Sequence, residues 1–196
     1  MVGTIILAAG DSTRMGRPKA LLPLDNTTFL EHILDHHSSL GLPTWVVLGR
    51  QRKEIEKQAC LSGAVVLVNP QPERGQLSSL KIGIEAAGGC DAVIVHPVDH
   101  PLVRRETIQA LLDAHATQPS SILLPKYGDR TGHPVLFPAV FYDALLAAPL
   151  DVGARFVVRQ HSEAVILVPV SDPGVTENID TPEDYQRIVN LAWDGN

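Results

Sequence analysis

Cysteine is scarce in this chain: Cys60 and Cys90 are the two among 196 residues. They are too few and too far apart to build a disulfide framework or a CxxC metal site, and a reducing, cytoplasmic setting is the expectation that follows. Aromatic residues are also sparse, at 5%, so aliphatic side chains must supply most of the core. No apolar run approaches the roughly 20 residues of a membrane-spanning helix. The stretch from Gly3 to Ala9 is short and lacks the basic flank of a secretory leader, so no membrane partner is expected. Basic charge is in deficit as well. Sixteen Lys and Arg against 22 Asp and Glu leave a net charge of −6, which excludes the broad basic surface of a sequence-independent DNA or RNA binder. An anionic small molecule stays open, because local charge decides its binding.

What is present is 44% hydrophobic residues in a pattern of short runs. The length fits one domain over residues 1–196. GTIILAA (3–9), TWVVLG (44–49), AVVLVN (64–69) and DAVIVHP (91–97) have the length and β-branched content of strands buried on both faces. Thr28 followed by Glu31 matches a capping box, and Phe29, Leu30, Ile33, Leu34 and Leu40 trace a helical stripe after it. Ser78 to Ala87 and Thr107 to Ala116 repeat that periodicity. In the second half, strands are expected at 121–125, 134–137 and 164–170, with helices near 139–148 and 153–161. Thr181 and Pro182 then open a last helix as N-cap and first residue. The alternation predicts a three-layer, doubly wound, Rossmann-like α/β fold around a mainly parallel sheet.

The loop after the first run carries the chemistry. A helix N-terminus following a strand favours an anion, and Gly10 stands where the strand stops. The spacing to Gly16 and Lys19 does not fit a Walker A loop, and GxGxxG is absent. Arg14 and Lys19 nevertheless offer two cations for a triphosphate, with backbone N–H groups to bind its oxygens. The competing reading takes Gly10, Asp11 and Ser12 as the GDS of a serine hydrolase. That chemistry needs a base from a DxxH element, and no His in the chain has Asp three positions before it. GxSxG is absent too. Ser12 therefore reads as a loop-capping or ligand-bonding hydroxyl.

LAAGDSTRMGRPK (7–19) resembles the LAAGxSxRMGxxK signature of the nucleotidyltransferase family that includes molybdenum-cofactor cytidylyl- and guanylyltransferases. The resemblance implies that this loop wraps a nucleoside triphosphate. It assigns nucleotide contacts to Leu7, Ala8, Ala9 and Gly10 and phosphate contacts to Arg14 and Lys19.

Asp99 in HPVDHP lies just past the fourth run, where parallel strands end and open α/β sheets bind ligands. Carboxylate oxygens suit a hard cation such as Mg²⁺, which stabilises charge during nucleotidyl transfer. The resemblance extends here. Asp99 matches a VDxP-like element whose Asp holds Mg²⁺ in the family, and Asp180 in NIDTPEDY matches a DIDTPED-like element. The plainer readings are a turn cap for Asp99 and a helix-flanking position for Asp180. His96, Asp99 and His100 also spell HxxDH, the fragment of a transition-metal site, but no HxH or HExxH accompanies it. His32 and His36 share a helix face and read as exposed polar positions.

GxxSSL at 75–80 resembles a segment near the base and ribose in the cytidylyl branch, which implies nucleotide contacts for Ser78 and Ser79; the alternative is a serine N-cap. LAAG in place of LAGG favours CTP over GTP. RTGHPVLF (130–137) resembles an element on the acceptor side, where Gly132 would allow close approach and His133 a hydrogen bond to an acceptor phosphate. Arg155 and Arg159, one helical turn apart, are a further anion site or a solvated face. The expected partners are CTP and a phosphorylated small acceptor, most specifically molybdopterin, with a molybdoenzyme or its chaperone as recipient. A guanylyl or sugar-phosphate enzyme of the same fold, and a non-catalytic nucleotide binder, are the alternatives.

Overall fold

The apolar runs at 3–9, 44–49 and 91–97 bury opposite faces at alternate residues, which is why they are apolar throughout; the run at 64–69, expected to be buried in the same way, is instead the edge of the sheet and leaves Val65 and Val68 exposed. The computed structural model describes residues 1–193. In β1 (Val2–Ala8), Ile5 and Leu7 join one core cluster while Ile6 and Ala8 join another on the opposite side. Two helical layers are therefore needed to cover one sheet.

A short hairpin, β2 (Pro23–Leu24) and β3 (Thr27–Thr28), precedes α1 (Phe29–Ser38). The Thr28–Glu31 capping box forms as the sequence implies, side chain to backbone in both directions. Then come β4 (Thr44–Leu48), α2 (Arg52–Gln58), β5 (Ala64–Val68), α3 (Gln76–Ala86), β6 (Ala92–Pro97) and α4 (Arg105–Thr117). The second half adds β7 (Ile122–Tyr127), β8 (Arg130–Thr131), β9 (Val135–Pro138), α5 (Tyr142–Ala147), α6 (Ala154–Gln160), β10 (Val165–Pro169) and α7 (Pro182–Trp193).

The main sheet runs β10-β7-β9-β6-β1-β4-β5, with β8 pairing the end of β7. β9 alone on that path runs antiparallel to its neighbours β6 and β7; the other pairings are parallel. α3, α5 and α6 cover one face, α1 and α2 the other, and α4 closes the half beyond β6. Gly83 lets α3 lie directly on β1, because a Cβ there would fall 2.5 Å from Ile5 Cγ2. From β1 the chain goes outward to β4 and β5, then returns to the other side of β1 as β6. That reversal opens a crevice at the carboxyl ends of β1 and β6.

Two local readings need correction. α3 starts at Gln76, with Gly75 at φ 93° as its N-cap, so Ser78 lies inside the first turn and caps nothing; its hydroxyl donates to the Gly75 carbonyl at 2.7 Å. α2 was not anticipated, since RKEIEKQ is mostly charged and buries one apolar side chain, Ile55. No described helix is long and apolar enough to cross a membrane.

Candidate active site

The crevice holds a cavity of about 340 Å³ lined by the loop after β1, the start of α3 and the loop after β6. Ser12 takes a left-handed backbone, φ 49°, and its Oγ accepts the Lys19 N–H at 3.0 Å. The loop is thereby folded back so that Lys19 points inward. This hydroxyl is a loop staple, and the hydrolase reading has no imidazole bonded to it. Leu7, Ala8, Ala9, Gly10, Arg14, Lys19, Asp99 and Asp180 all line this one cavity, as does Ser79. Ser78 does not. It faces a separate cleft beside Lys81 and Pro149. Asn69 Nδ2 donates to both serine hydroxyls, at 2.8 and 2.9 Å, and so ties the two sides of the wall together.

Lys19 is the electrostatic centre. Its Nζ donates to Asp180 Oδ1 at 2.5 Å and lies 4.0 Å from Asp99 Oδ2, with its side chain only 13% exposed. Arg14, largely exposed, places Nη2 3.8 Å from Asp180 Oδ1. Asp180 is brought here by two backbone devices. Ile179 N–H donates to the Asp99 carbonyl at 2.8 Å, and α7 is closed by a reciprocal box in which Thr181 Oγ1 accepts from Asp184 N while Asp184 Oδ2 accepts from Thr181 N. The N-cap reading for Thr181 and the cavity position of Asp180 thus hold together. Asp99 Oδ1 is buried without a hydrogen-bond partner, and burial pushes its carboxyl above the usual range, opposed by Lys19 and reinforced by Asp180.

That orphaned oxygen, beside a second carboxylate, offers the oxygen donors that suit a hard divalent cation. Among the described residues no three His, Cys, Asp or Glu side chains converge on one point. The HxxDH and His32/His36 metal sites are therefore absent there, and two carboxylates would hold a cation only together with oxygens of a bound phosphate. His36 Nδ1 instead lies 3.0 Å from the Val103 carbonyl.

A second cavity of about 610 Å³ adjoins the first, and Leu7, Gln76 and Asp99 line both. Its walls mix aliphatic side chains with polar ones, among them His100, Thr131, His133, Arg155, Thr176 and Asn178. The rings of His100 and His133 lie 4.8 Å apart, each with a buried, unpartnered Nδ1. Burial holds both imidazoles down at about 4. They face the cavity as neutral hydrogen-bonding groups, leaving Arg155 as its cation; Arg159 is exposed elsewhere. Gly132 also lines this cavity, but what demands glycine is the backbone of Val175, whose oxygen would sit 1.7 Å from a Cβ at 132.

Three residues escaped sequence reasoning. Gln51 and Gln76 reach the first cavity from the positions just after β4 and just at the start of α3. Arg50 clasps two rim loops, donating to Asp11 Oδ2 at 2.9 Å and Glu73 Oε2 at 2.8 Å. Their one sequence signal was placement at the carboxyl end of a predicted strand or at a helix start.

With this arrangement in view, comparison with known proteins is decisive at the level of family. The MobA-like NTP transferase domain matches residues 4–165. The chain belongs to that family. It is a nucleotidyltransferase, with a nucleoside triphosphate and an acceptor as its substrates. It is 31% identical to nicotine blue oxidoreductase of Paenarthrobacter nicotinovorans over 195 residues, covering 94% of this chain and 95% of that protein. The purine catabolism protein PucB of Bacillus subtilis is 27% identical, with 94% of each chain covered. The crystal structure of Rv0371c in complex with manganese, from Mycobacterium tuberculosis, superimposes with a TM-score of 0.82 at 26% identity, covering 96% of this chain and 98% of that one.

Proposed function

We propose that this nucleotidyltransferase joins the CMP of CTP to a phosphate-bearing acceptor, molybdopterin of the molybdenum cofactor, with Mg²⁺ as its metal. The observation that carries the reading is the position of Asp99. It lies on the boundary of two cavities, one lined by the Lys19 loop, the other of mixed aliphatic and polar lining with neutral hydrogen-bonding groups and one cation. Support for a divalent cation comes from the orphaned Asp99 oxygen and from the manganese complex of Rv0371c.

In this reading Leu7 to Gly10 and Ser79 hold the nucleotide, and Arg14 and Lys19 neutralise its triphosphate. Asp99 and Asp180 would hold the metal, which when bound supplies charge stabilisation and in-line alignment of the phosphates. The acceptor's phosphate oxygen attacks the α-phosphorus as the bond to the β-phosphate oxygen breaks, and pyrophosphate leaves. An ionised phosphate needs no general base, so the absence of a basic imidazole at the junction is no obstacle. The work of the chain is to bring together two anions and to offset the charge that builds on the leaving group. Gly132 and His133 would border the acceptor, with His133 giving a hydrogen bond from a neutral ring and Arg155 meeting its anionic end.

The oxidoreductase named among the relatives belongs to a different reaction class, and the pairing of Lys19 with two cavity carboxylates favours group transfer here. The test is calorimetric titration with CTP, GTP, ATP and UTP, each with and without Mg²⁺. Preference for CTP supports the cytidylyl reading and leads to molybdopterin as acceptor. Preference for GTP shifts it to the guanylyl homologue, and binding of no triphosphate defeats it.

A further inference from the structure

Two fully buried imidazoles link the centre of the sheet to the turn that carries Asp99. Thr4 Oγ1 on β1 lies 2.9 Å from His37 Nδ1 on α1, and His37 Nε2 lies 2.9 Å from His96 Nδ1 on β6. His96 Nε2 then lies 3.0 Å from the carbonyl oxygen of His100. Thr4, His37 and His96 have no exposed surface. The last link fixes the direction of the whole chain. A carbonyl oxygen only accepts, so His96 Nε2 carries the proton and its Nδ1 is bare. A bare Nδ1 requires a donor, so His37 Nε2 carries a proton too. In a neutral ring this leaves His37 Nδ1 bare, and the Thr4 hydroxyl donates into it. A second proton on His96 would face the His37 N–H, and burial keeps both rings neutral, His37 down at about 3.

Such a chain is a costly way to fill a core. Buried polar groups are tolerated only when every link is made, and aliphatic side chains would pack the same space without that demand. Its far end explains its presence. His100 N–H donates to the Pro97 carbonyl at 3.1 Å, closing a turn whose third residue is Asp99. The Asp99 carboxylate has little else to orient it: Oδ1 has no partner, and Oδ2 reaches Lys19 only at 4.0 Å. The direction of that carboxylate is therefore set by the turn, which is held by the Val98 N–H on the Leu7 carbonyl, by the Ile179 N–H on the Asp99 carbonyl and, from inside the protein, by His96.

We propose that His96, supported by His37 and Thr4, is a positioning residue that aims Asp99 at the junction of the two cavities through the His100 carbonyl. The role rests on the proposed metal-binding function of Asp99; the hydrogen-bond direction does not. His96 accordingly is no metal ligand, and the first histidine of HPVDHP acts behind the site.

Two measurements on the full chain test this separately. Histidine side-chain ¹⁵N NMR of the wild-type protein should report the Nε2–H tautomer for both His37 and His96; an Nδ1–H tautomer at His96 overturns the chain as drawn. Mn²⁺ affinity is then measured calorimetrically in the presence of CTP for His96→Gln, which keeps a donor toward His100, and for His96→Leu, which has none. His96→Leu should weaken Mn²⁺ binding roughly tenfold or more, the scale of lost support for a metal ligand, with CTP affinity in the absence of metal changed less than about twofold. His96→Gln should recover most of the loss. Equal losses in the two variants, or none in either, overturn the positioning role. If His96→Leu does not fold, Thr4→Val removes the donor at the remote end, with roughly threefold weaker Mn²⁺ binding expected. Wild-type affinity in that variant overturns the role. Failure of the wild-type protein to bind Mn²⁺ with CTP defeats the metal reading of Asp99 itself and the role with it, while the tautomers still stand or fall by NMR.

Discussion

Lys19 and Asp180 are separated by 161 positions in the chain and meet at 2.5 Å in the crevice. Neither residue can be understood from its own neighbourhood. Lys19 is turned inward by the Ser12 staple, and Asp180 is delivered by the backbone bond from Ile179 to Asp99 and by the capped start of α7. The pair makes the site a balanced one, with cation and carboxylate already together where a triphosphate and its metal would arrive.

Removing the cation should separate binding from folding. Lys19→Ala is expected to weaken triphosphate binding by about 1.5–3 kcal/mol, the scale of a hydrogen bond to a charged group. That is roughly ten- to 150-fold in affinity. Calorimetry with CTP reads it directly, and unchanged affinity would remove Lys19 from the phosphate site.

Asp99→Asn keeps the shape of the side chain and removes its charge. Burial already raises the Asp99 carboxyl, so the substitution should be neutral or favourable for the melting temperature of the metal-free protein. Turnover should fall at least about a hundredfold through loss of a metal ligand, consistent with the few kcal/mol that such electrostatic stabilisation supplies. Wild-type turnover in the variant would refute the metal assignment.

Gly132→Ala should destabilise the fold. The added Cβ meets the Val175 oxygen at 1.7 Å, a backbone atom that cannot swing away. A cost of about 2–4 kcal/mol is expected from strain in a packed segment. Thermal denaturation measures it. A melting temperature equal to wild type would mean that the contact between the β8–β9 loop and residues 173–176 is dispensable.

Acid should unfold the protein earlier than its carboxylates alone predict. His37 is held at about 3, His100 and His133 at about 4, and His96 well below 6.5, in each case chiefly by burial. The unfolded chain therefore binds more protons than the folded one as pH falls from about 6.5 to 4. Stability is full above that window and is lost through it, by about 1.4 kcal/mol per pH unit for each such ring. Asp99, whose carboxyl is raised, acts in the opposite sense and recovers a part on acidification. Denaturant melts at pH 7, 6 and 5 should give a steadily falling midpoint; a flat profile would mean that these rings are not buried neutral.

The sequence determined the parts with local physical signatures. Aliphatic runs of strand length dictated a sheet whose central strands are buried on both faces, and Thr28 with Glu31 and Thr181 with Pro182 marked helix starts that formed as their side-chain chemistry requires. The Arg14 and Lys19 loop was legible because its spacing is dense and contiguous. α2 was not, since a helix with one buried residue carries no periodic stripe and is held by its neighbours. Only the tertiary structure decided which hydroxyl faces the cavity of the Lys19 loop, because Ser78 and Ser79 are adjacent and the register of α3 turns one inward and the other away. It likewise decided that the first histidine of HPVDHP, His96, points into the core toward His37, a partner 59 positions earlier. Side-chain direction across a sheet depends on which strands become neighbours, and that is settled by burying the whole chain at once.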